Sequence, residues 1–194
     1  MDDLSLSLLD ICMNSTEADA SMVKASIVTY PDDHKLTMTI EDDGIGMENE
    51  VAKKATDPFY TQRPLRKVGL GLPLLKHAAT NTGGDFHIKT RPGKGTIVSA
   101  VFDMDHVDMP NLGDLASSVL TFVLHPKTDD FIFTYGDSRN PFVFNLNEIL
   151  QIIDRNDLNN GTIRRYIFDM IQEGIKMKEG ENHEDTTRIK TTAR

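Results

Sequence analysis

Leu36-Thr37-Met38-Thr39-Ile40-Glu41-Asp42-Asp43-Gly44-Ile45-Gly46-Met47 is the stretch on which the reading of the fold turns. Strict alternation from Leu36 to Ile40 marks a half-buried strand. Two acids and two glycines then end it. A carboxylate at a strand end is placed to accept a hydrogen bond from an exocyclic amine, and Gly44 and Gly46 let the backbone approach a flat ring closely. A solvated turn uses the same residue types, so the neighbouring segments have to decide.

Upstream, Val23 to Tyr30 is apolar and β-branched, and Pro31-Asp32-Asp33-His34 joins it to Leu36–Ile40 as a hairpin. Ahead of that, Leu6, Leu8, Leu9, Ile11, Cys12 and Met13 give Leu4 to Ala20 the pattern of an amphipathic helix. Asp10 and Asn14 stand four apart and share one face of it. Such a pair is most often a solvated edge. A carboxylate and an amide oxygen also suit Mg²⁺, which prefers hard oxygen ligands and keeps several waters.

Downstream, a short helix is expected over Glu48 to Ala55 and another over Gly69 to Thr80, stopped by Gly83-Gly84. Strands at Phe86 to Thr90 and Thr96 to Phe102 flank the turn Arg91-Pro92-Gly93-Lys94-Gly95. Helix, two strands, two helices and two strands predict a layered α/β sandwich on a mixed or antiparallel sheet. No acid occurs from Pro58 to Gly84, while Arg63, Arg66, Lys67 and Lys76 lie inside that span. In a chain of 194 residues with net charge −9, this is a local positive zone beside Gly69-Leu70-Gly71-Leu72. Amides freed at a helix start, with cations nearby, make an anion site.

Taken in order, the acid-x-x-x-Asn helix, Asp42-x-Gly44-x-Gly46, Asp57-Pro58-Phe59-Tyr60, Gly69-Leu70-Gly71-Leu72 and Gly93-Lys94-Gly95-Thr96 resemble the GHKL ATPase superfamily, which groups gyrase B, heat-shock chaperone, histidine kinase and mismatch-repair proteins. The resemblance spans about residues 4–102, and Asp57 to Gly84 is most similar to histidine kinases. It implies a two-layer α/β sandwich, the Bergerat ATP-binding fold, with ATP or ADP and Mg²⁺ as ligands. By position, Asn14 would chelate Mg²⁺, and Asp42 would read the adenine amine. Gly44, Gly46 and Met47 would shape the base pocket, and Thr96 would support it. Gly69, Leu70, Gly71 and Leu72 would meet the phosphates, with Arg63 and Lys67 as cations over them. Asp10 stands where the hydrolysing members carry a Glu general base; one methylene shorter, it implies slow turnover.

Two departures from histidine kinases matter. An acid at position 10 is atypical of them, and Asn14-Ser15-Thr16-Glu17-Ala18 is closer to the mismatch-repair branch. Only nine residues precede Asp10, so no phosphoacceptor helix is expected within this sequence, and a self-contained histidine kinase is not the reading. His77 and His87 are expected at the edge of the core, and Cys12 is expected to pack.

After Phe102 the composition shifts. Residues 1–103 are read as the ATP-binding domain, 104–177 as a smaller C-terminal α+β extension, and 178–194 as a disordered tail. The extension should hold a helix over Asp114 to Leu124, a hairpin of Phe131 to Tyr135 with Phe142 to Phe144, and helices near Asn147 to Ile153 and Thr162 to Met177. About 70 such residues make a marginal core, so they should pack on the ATP domain or on a second copy, which admits a homodimer. Related hydrolases often send a lysine from a neighbouring module toward the γ-phosphate. Lys127 is the one lysine between Phe102 and Lys176.

Composition bounds the rest. With 39% hydrophobic residues the chain folds, and its acidity disfavours nucleic acid as a partner. One cysteine excludes an intrachain disulfide. No signal peptide and no run approaching the roughly 20 apolar residues of a membrane span is visible, so a cytoplasmic protein without a membrane partner is expected. The function expected is a Mg-ATP-binding slow ATPase or nucleotide-state switch acting on a protein partner. A serine-type protein kinase resembling anti-sigma factors and a non-catalytic nucleotide sensor are the alternatives.

Overall fold

The computed structural model describes residues 3–57 and 70–192, and for residues 181–192 the backbone alone. Six strands form one sheet: β1 (Met22–Tyr30), β2 (Lys35–Asp42), β3 (Asp85–Thr90), β4 (Thr96–Asp103), β5 (Asp130–Asp137) and β6 (Phe142–Asn145). Their spatial order is β3-β4-β2-β1-β5-β6, and every neighbouring pair is antiparallel except β1–β5. The sheet is therefore mixed. Among the described residues six α-helices accompany it: α1 (Leu4–Glu17), α2 (Asn49–Lys54), α3 (Gly71–Asn81), α4 (Leu115–Val123), α5 (Leu146–Leu150) and α6 (Gly161–Thr192).

Strand alternation decides the layers. Val23, Ala25 and Ile27, then Leu36, Met38 and Ile40, then Val98, Ala100 and Phe102, then Phe131, Phe133 and Tyr135 are all buried on one face. Lys24, Glu41, His87 and Lys89 stand exposed on the other. Helix α1 packs on α3 and α4, and α4 on α6, giving one helical layer over the buried face. Leu4, Leu8, Ile11 and Cys12 of α1 close the core from above. This is the two-layer α/β fold that the element order predicts.

The C-terminal half continues that architecture. Strand β5 runs parallel to β1 along its length, from Met22↔Asp130 to Thr29↔Asp137, and one hydrophobic core crosses the boundary at Asp103. Phe122 of α4 meets Phe131 edge-on at 4.8 Å. Ile167, Ile171 and Ile175 of α6 are buried in the same core, each contributing about 1.5–3 kcal/mol. Residues 111–114 tie the two halves at their helix starts. Leu4 and Ser5 donate backbone N–H bonds to Asn111 and Leu112, while Asp3 caps α1 and Asp114 caps α4.

Helix α6 runs past Met177 to Thr192, where the sequence pattern predicted a tail without structure. Cys12 is buried as expected, and burial pushes its thiol far up. His77 and His87 are exposed rather than at the core edge, and His87 Nε2 lies 2.9 Å from Asp85 Oδ2. Among the described residues, no helix is long and apolar enough to cross a membrane.

Candidate nucleotide site

The inward face of β2 reads Leu36, Met38, Ile40 and then Asp42, so the strand's last inward residue is a carboxylate. Register places Thr96 of β4 opposite Asp42 and Thr90 of β3 opposite Thr96. An apolar face thus ends in a polar row, with Ser15 of α1 above it. Asp42 Oδ1 accepts from the backbone N–H of Gly44 (3.0 Å) and of Thr96 (3.2 Å), and Oδ2 accepts from the Ser15 hydroxyl (3.0 Å). Burial raises the Asp42 carboxyl above the ordinary carboxylate range. The three hydrogen bonds pull it back, and the nearby Asp43 charge adds to the rise. Asp43 itself faces solvent, and its Oδ1 accepts from the N–H groups of Ser21 (2.7 Å) and Met22 (2.8 Å). Of two adjacent acids, one is aimed inward and one holds the loop before β1.

The glycines let three loops close on this row. Gly46 has φ +65°, and a Cβ there would stand 2.0 Å from the Arg91 carbonyl oxygen. Gly95 has φ +73°, and its Cβ would stand 1.8 Å from the Asp42 carbonyl oxygen. Both positions exclude a side chain twice over, by conformation and by space. The loops are stitched by Ile45 N–H to Ala18 O, Gly93 N–H to Ile45 O, and Met47 N–H to Thr90 Oγ1 (2.9 Å). Gly44 is buried against Ala18, and Met47 is half-buried.

Helix α1 carries Asp10 and Asn14 half-buried on one face, with Ser15 next along the chain. Asp10 reaches α3: a Cβ built on Gly71 would lie 1.9 Å from Asp10 Oδ2. Leu72 packs on the core while Leu70 is exposed. The structure thus brings Asp42, Gly44, Gly46, Met47 and Thr96 together, and joins Asp10 to Gly71. Arg63, Lys67 and Gly69 lie outside the described residues, as do Pro58, Phe59 and Tyr60. Lys127 is exposed in the turn before β5, at the same end of the sheet as Asp42, since β1 starts beside both. The Arg155 guanidinium holds that turn through the carbonyls of Thr128 and Asp129.

Ser15 and Thr90 belong to this row and escaped the sequence reading. Thr90 had a usable signal. A five-residue turn between strands pairs the residues that flank it, and those are Thr90 and Thr96. Ser15 had none, because its bond to Asp42 depends on how α1 lies over the sheet.

Residues 2–106 match the family described as histidine kinase-, DNA gyrase B-, and HSP90-like ATPase. The chain belongs to this family, and its first half is a histidine-kinase-like ATP-binding domain. Among curated proteins it is similar to the signal transduction histidine-protein kinase AtoS of Escherichia coli (strain K12). They are 30% identical over 99 residues, which is 50% of this chain and 16% of that protein. It is also similar to sporulation kinase A of Bacillus subtilis (strain 168), 27% identical over 94 residues, covering 48% of this chain and 15% of the kinase. The match therefore spans about a sixth of these relatives. A solved structure, the N-terminal domain of a DNA repair protein, superposes with a TM-score of 0.50 at 12% identity, covering 73% of this chain and 51% of that one. That likeness concerns the fold alone, and it extends past residue 106.

Proposed function

We propose that the protein binds Mg-ATP, hydrolyses it slowly, and uses its nucleotide state to act on a protein partner. The observation that carries this reading is Asp42. It is a half-buried carboxylate at the end of an apolar face, oriented by Gly44, Thr96 and Ser15, with a backbone made close-fitting by Gly46 and Gly95. In this reading Asp42 accepts from the adenine amine, and Gly44, Gly46, Met47 and Thr96 line the base. The Gly71 and Leu72 amides at the start of α3 meet phosphate, with Gly69, Leu70, Arg63 and Lys67 alongside.

Mg²⁺ fits the donor set. It commonly takes one or two protein oxygens and completes its shell with water and phosphate. Among the described residues no group of three or more His, Cys, Asp or Glu is placed to hold a metal. The Asn14 amide oxygen would be the protein ligand, and the ion would neutralise charge on the phosphates. Asp10, one turn before Asn14, accepts the proton of the attacking water as the γ-phosphorus–oxygen bond to ADP breaks. Its short side chain keeps that step slow.

Calorimetry with ATP and Mg²⁺ on the wild type and Asp42→Asn tests the binding claim; equal affinity would remove the adenine assignment. Incubation with γ-labelled ATP, with and without lysate, tests the reaction. Free phosphate is expected, whereas label on a serine of a second protein would establish the anti-sigma-like kinase reading instead.

A further inference from the structure

We propose that Thr90 is a positioning residue that sets the hydrogen-bonding polarity of the base pocket. Its hydroxyl fixes the direction of the Thr96 proton, so that Thr96 and Asp42 together select a purine carrying an exocyclic amine over one carrying a carbonyl. The proposal rests on the nucleotide reading above and adds to it a specificity determinant one strand behind the pocket wall.

The three side chains lie in a row across β3, β4 and β2, with Thr90 opposite Thr96 and Thr96 opposite Asp42. Thr90 Oγ1 lies 2.9 Å from the Gly95 carbonyl oxygen, 2.9 Å from the Met47 backbone nitrogen and 3.0 Å from Thr96 Oγ1. A threonine hydroxyl has one proton and two lone pairs. The Met47 N–H only donates, so it takes one lone pair. The Gly95 carbonyl only accepts, so it takes the proton. Gly95 is buried, and leaving its carbonyl unbonded would cost the desolvation of that group. What remains for Thr96 is the second lone pair of Thr90, and the Thr96 hydroxyl must donate to it. Thr90 is then saturated, and Thr96 has spent its proton on the side away from Asp42.

Asp42 is counted the same way. Its Oδ1 accepts from the N–H groups of Gly44 and Thr96, and its Oδ2 from the Ser15 hydroxyl. A carboxylate has about four lone-pair sites, so capacity for a further donor remains. Side by side, Thr96 and Asp42 present lone pairs and no proton. An exocyclic amine brings N–H donors and matches them. A base carbonyl sets lone pairs against lone pairs and leaves buried acceptors unmatched.

Calorimetry on the full chain with ATP and with inosine triphosphate, which has a carbonyl in place of the amine, tests this. The wild type should prefer ATP, and equal affinity for the two overturns the proposal. Thr90→Val keeps the shape, removes the hydroxyl and frees the Thr96 proton to turn toward the base. The preference for ATP should fall about fivefold, the equivalent of one neutral hydrogen bond. Thr90→Ser restores the hydroxyl and should restore the preference. A merely structural role would weaken both nucleotides alike, and an unmoved ratio in Thr90→Val overturns the proposal. Thr90→Val also strips the Met47 N–H of its acceptor and can unfold the loops, so Thr96→Val supplies a reading with Thr90 intact. That variant loses an acceptor and should weaken ATP more than inosine triphosphate; an equal or greater loss for inosine triphosphate overturns the proposal. ATP binding by the wild type with either of these contrary results defeats this inference alone. Absence of binding of both nucleotides to the wild type defeats the nucleotide reading and this inference with it.

Discussion

Strand β1 has two neighbours, and they do different work. On one side β2 runs antiparallel and delivers Asp42 at its end, where three hydrogen bonds of 3.0–3.2 Å and two positive-φ glycines set a polar row. On the other side β5 runs parallel and delivers Phe131, Phe133 and Tyr135, all buried, under α4 and α6. The β2 side concentrates polar groups that a ligand would use, each worth little to the fold. The β5 side concentrates apolar area, worth much to the fold and nothing directly to a ligand. Lesions on the two sides should therefore separate stability from affinity.

The largest effect should come from removing the β5 side altogether. Truncation after Asp103 strips α4, β5, β6 and α6, and uncovers the β1 edge and the apolar face of α1. The fragment should aggregate or melt far below the full chain in circular dichroism. A soluble monomeric fragment with the full-length melting temperature would break the comparison. Next, Phe133→Ala removes a fully buried ring, leaves a cavity in its place, and should cost about 3–5 kcal/mol in denaturant unfolding. Its ATP affinity, measured where the variant is still folded, should stay at the wild-type value.

On the β2 side the pattern inverts. Asp42→Asn should weaken ATP binding by about 1.5–3 kcal/mol by calorimetry, the range for a hydrogen bond to a charged group. Its unfolding midpoint at neutral pH should not fall. Burial raises the Asp42 carboxyl in the fold above its unfolded value, so its contribution to stability is present at low pH and lost as pH rises through the raised folded value. Ligand affinity should run the other way. It falls on acidification through that raised value, because the protonated carboxyl no longer accepts as well, and Asp42→Asn should flatten the profile. The smallest effect is expected of Ser15→Ala, which removes one of three bonds to Asp42 and should cost about 0.5–1.5 kcal/mol of ATP affinity. Loss of the fold in this variant would mean that the polar row is structural after all.

Much of this was legible in the chain. Alternation over Leu36 to Ile40, the acids and glycines that follow, and the five-residue turn before Thr96 are local features, and local features set strands, turns and the place of Asp42 at a strand end. The hairpin of Phe131 to Tyr135 with Phe142 to Phe144 was equally readable. Its seat beside β1 was not, because a parallel pairing joins segments about a hundred residues apart and leaves no mark in either one. The division drawn at Asp103 followed a real change in composition, yet the core runs through it.

What the sequence by itself determined is the order of elements, the inward alternation of each strand, and the residue types that meet at the end of β2. Short-range sterics and hydrophobic periodicity suffice for those. Tertiary structure alone decided that Asp42 meets Ser15 and Thr96, that Asp10 lies against Gly71, and that β5 joins the sheet beside β1. Each is a meeting of side chains from different elements, and such meetings are set by how whole helices and strands pack to bury their shared apolar face.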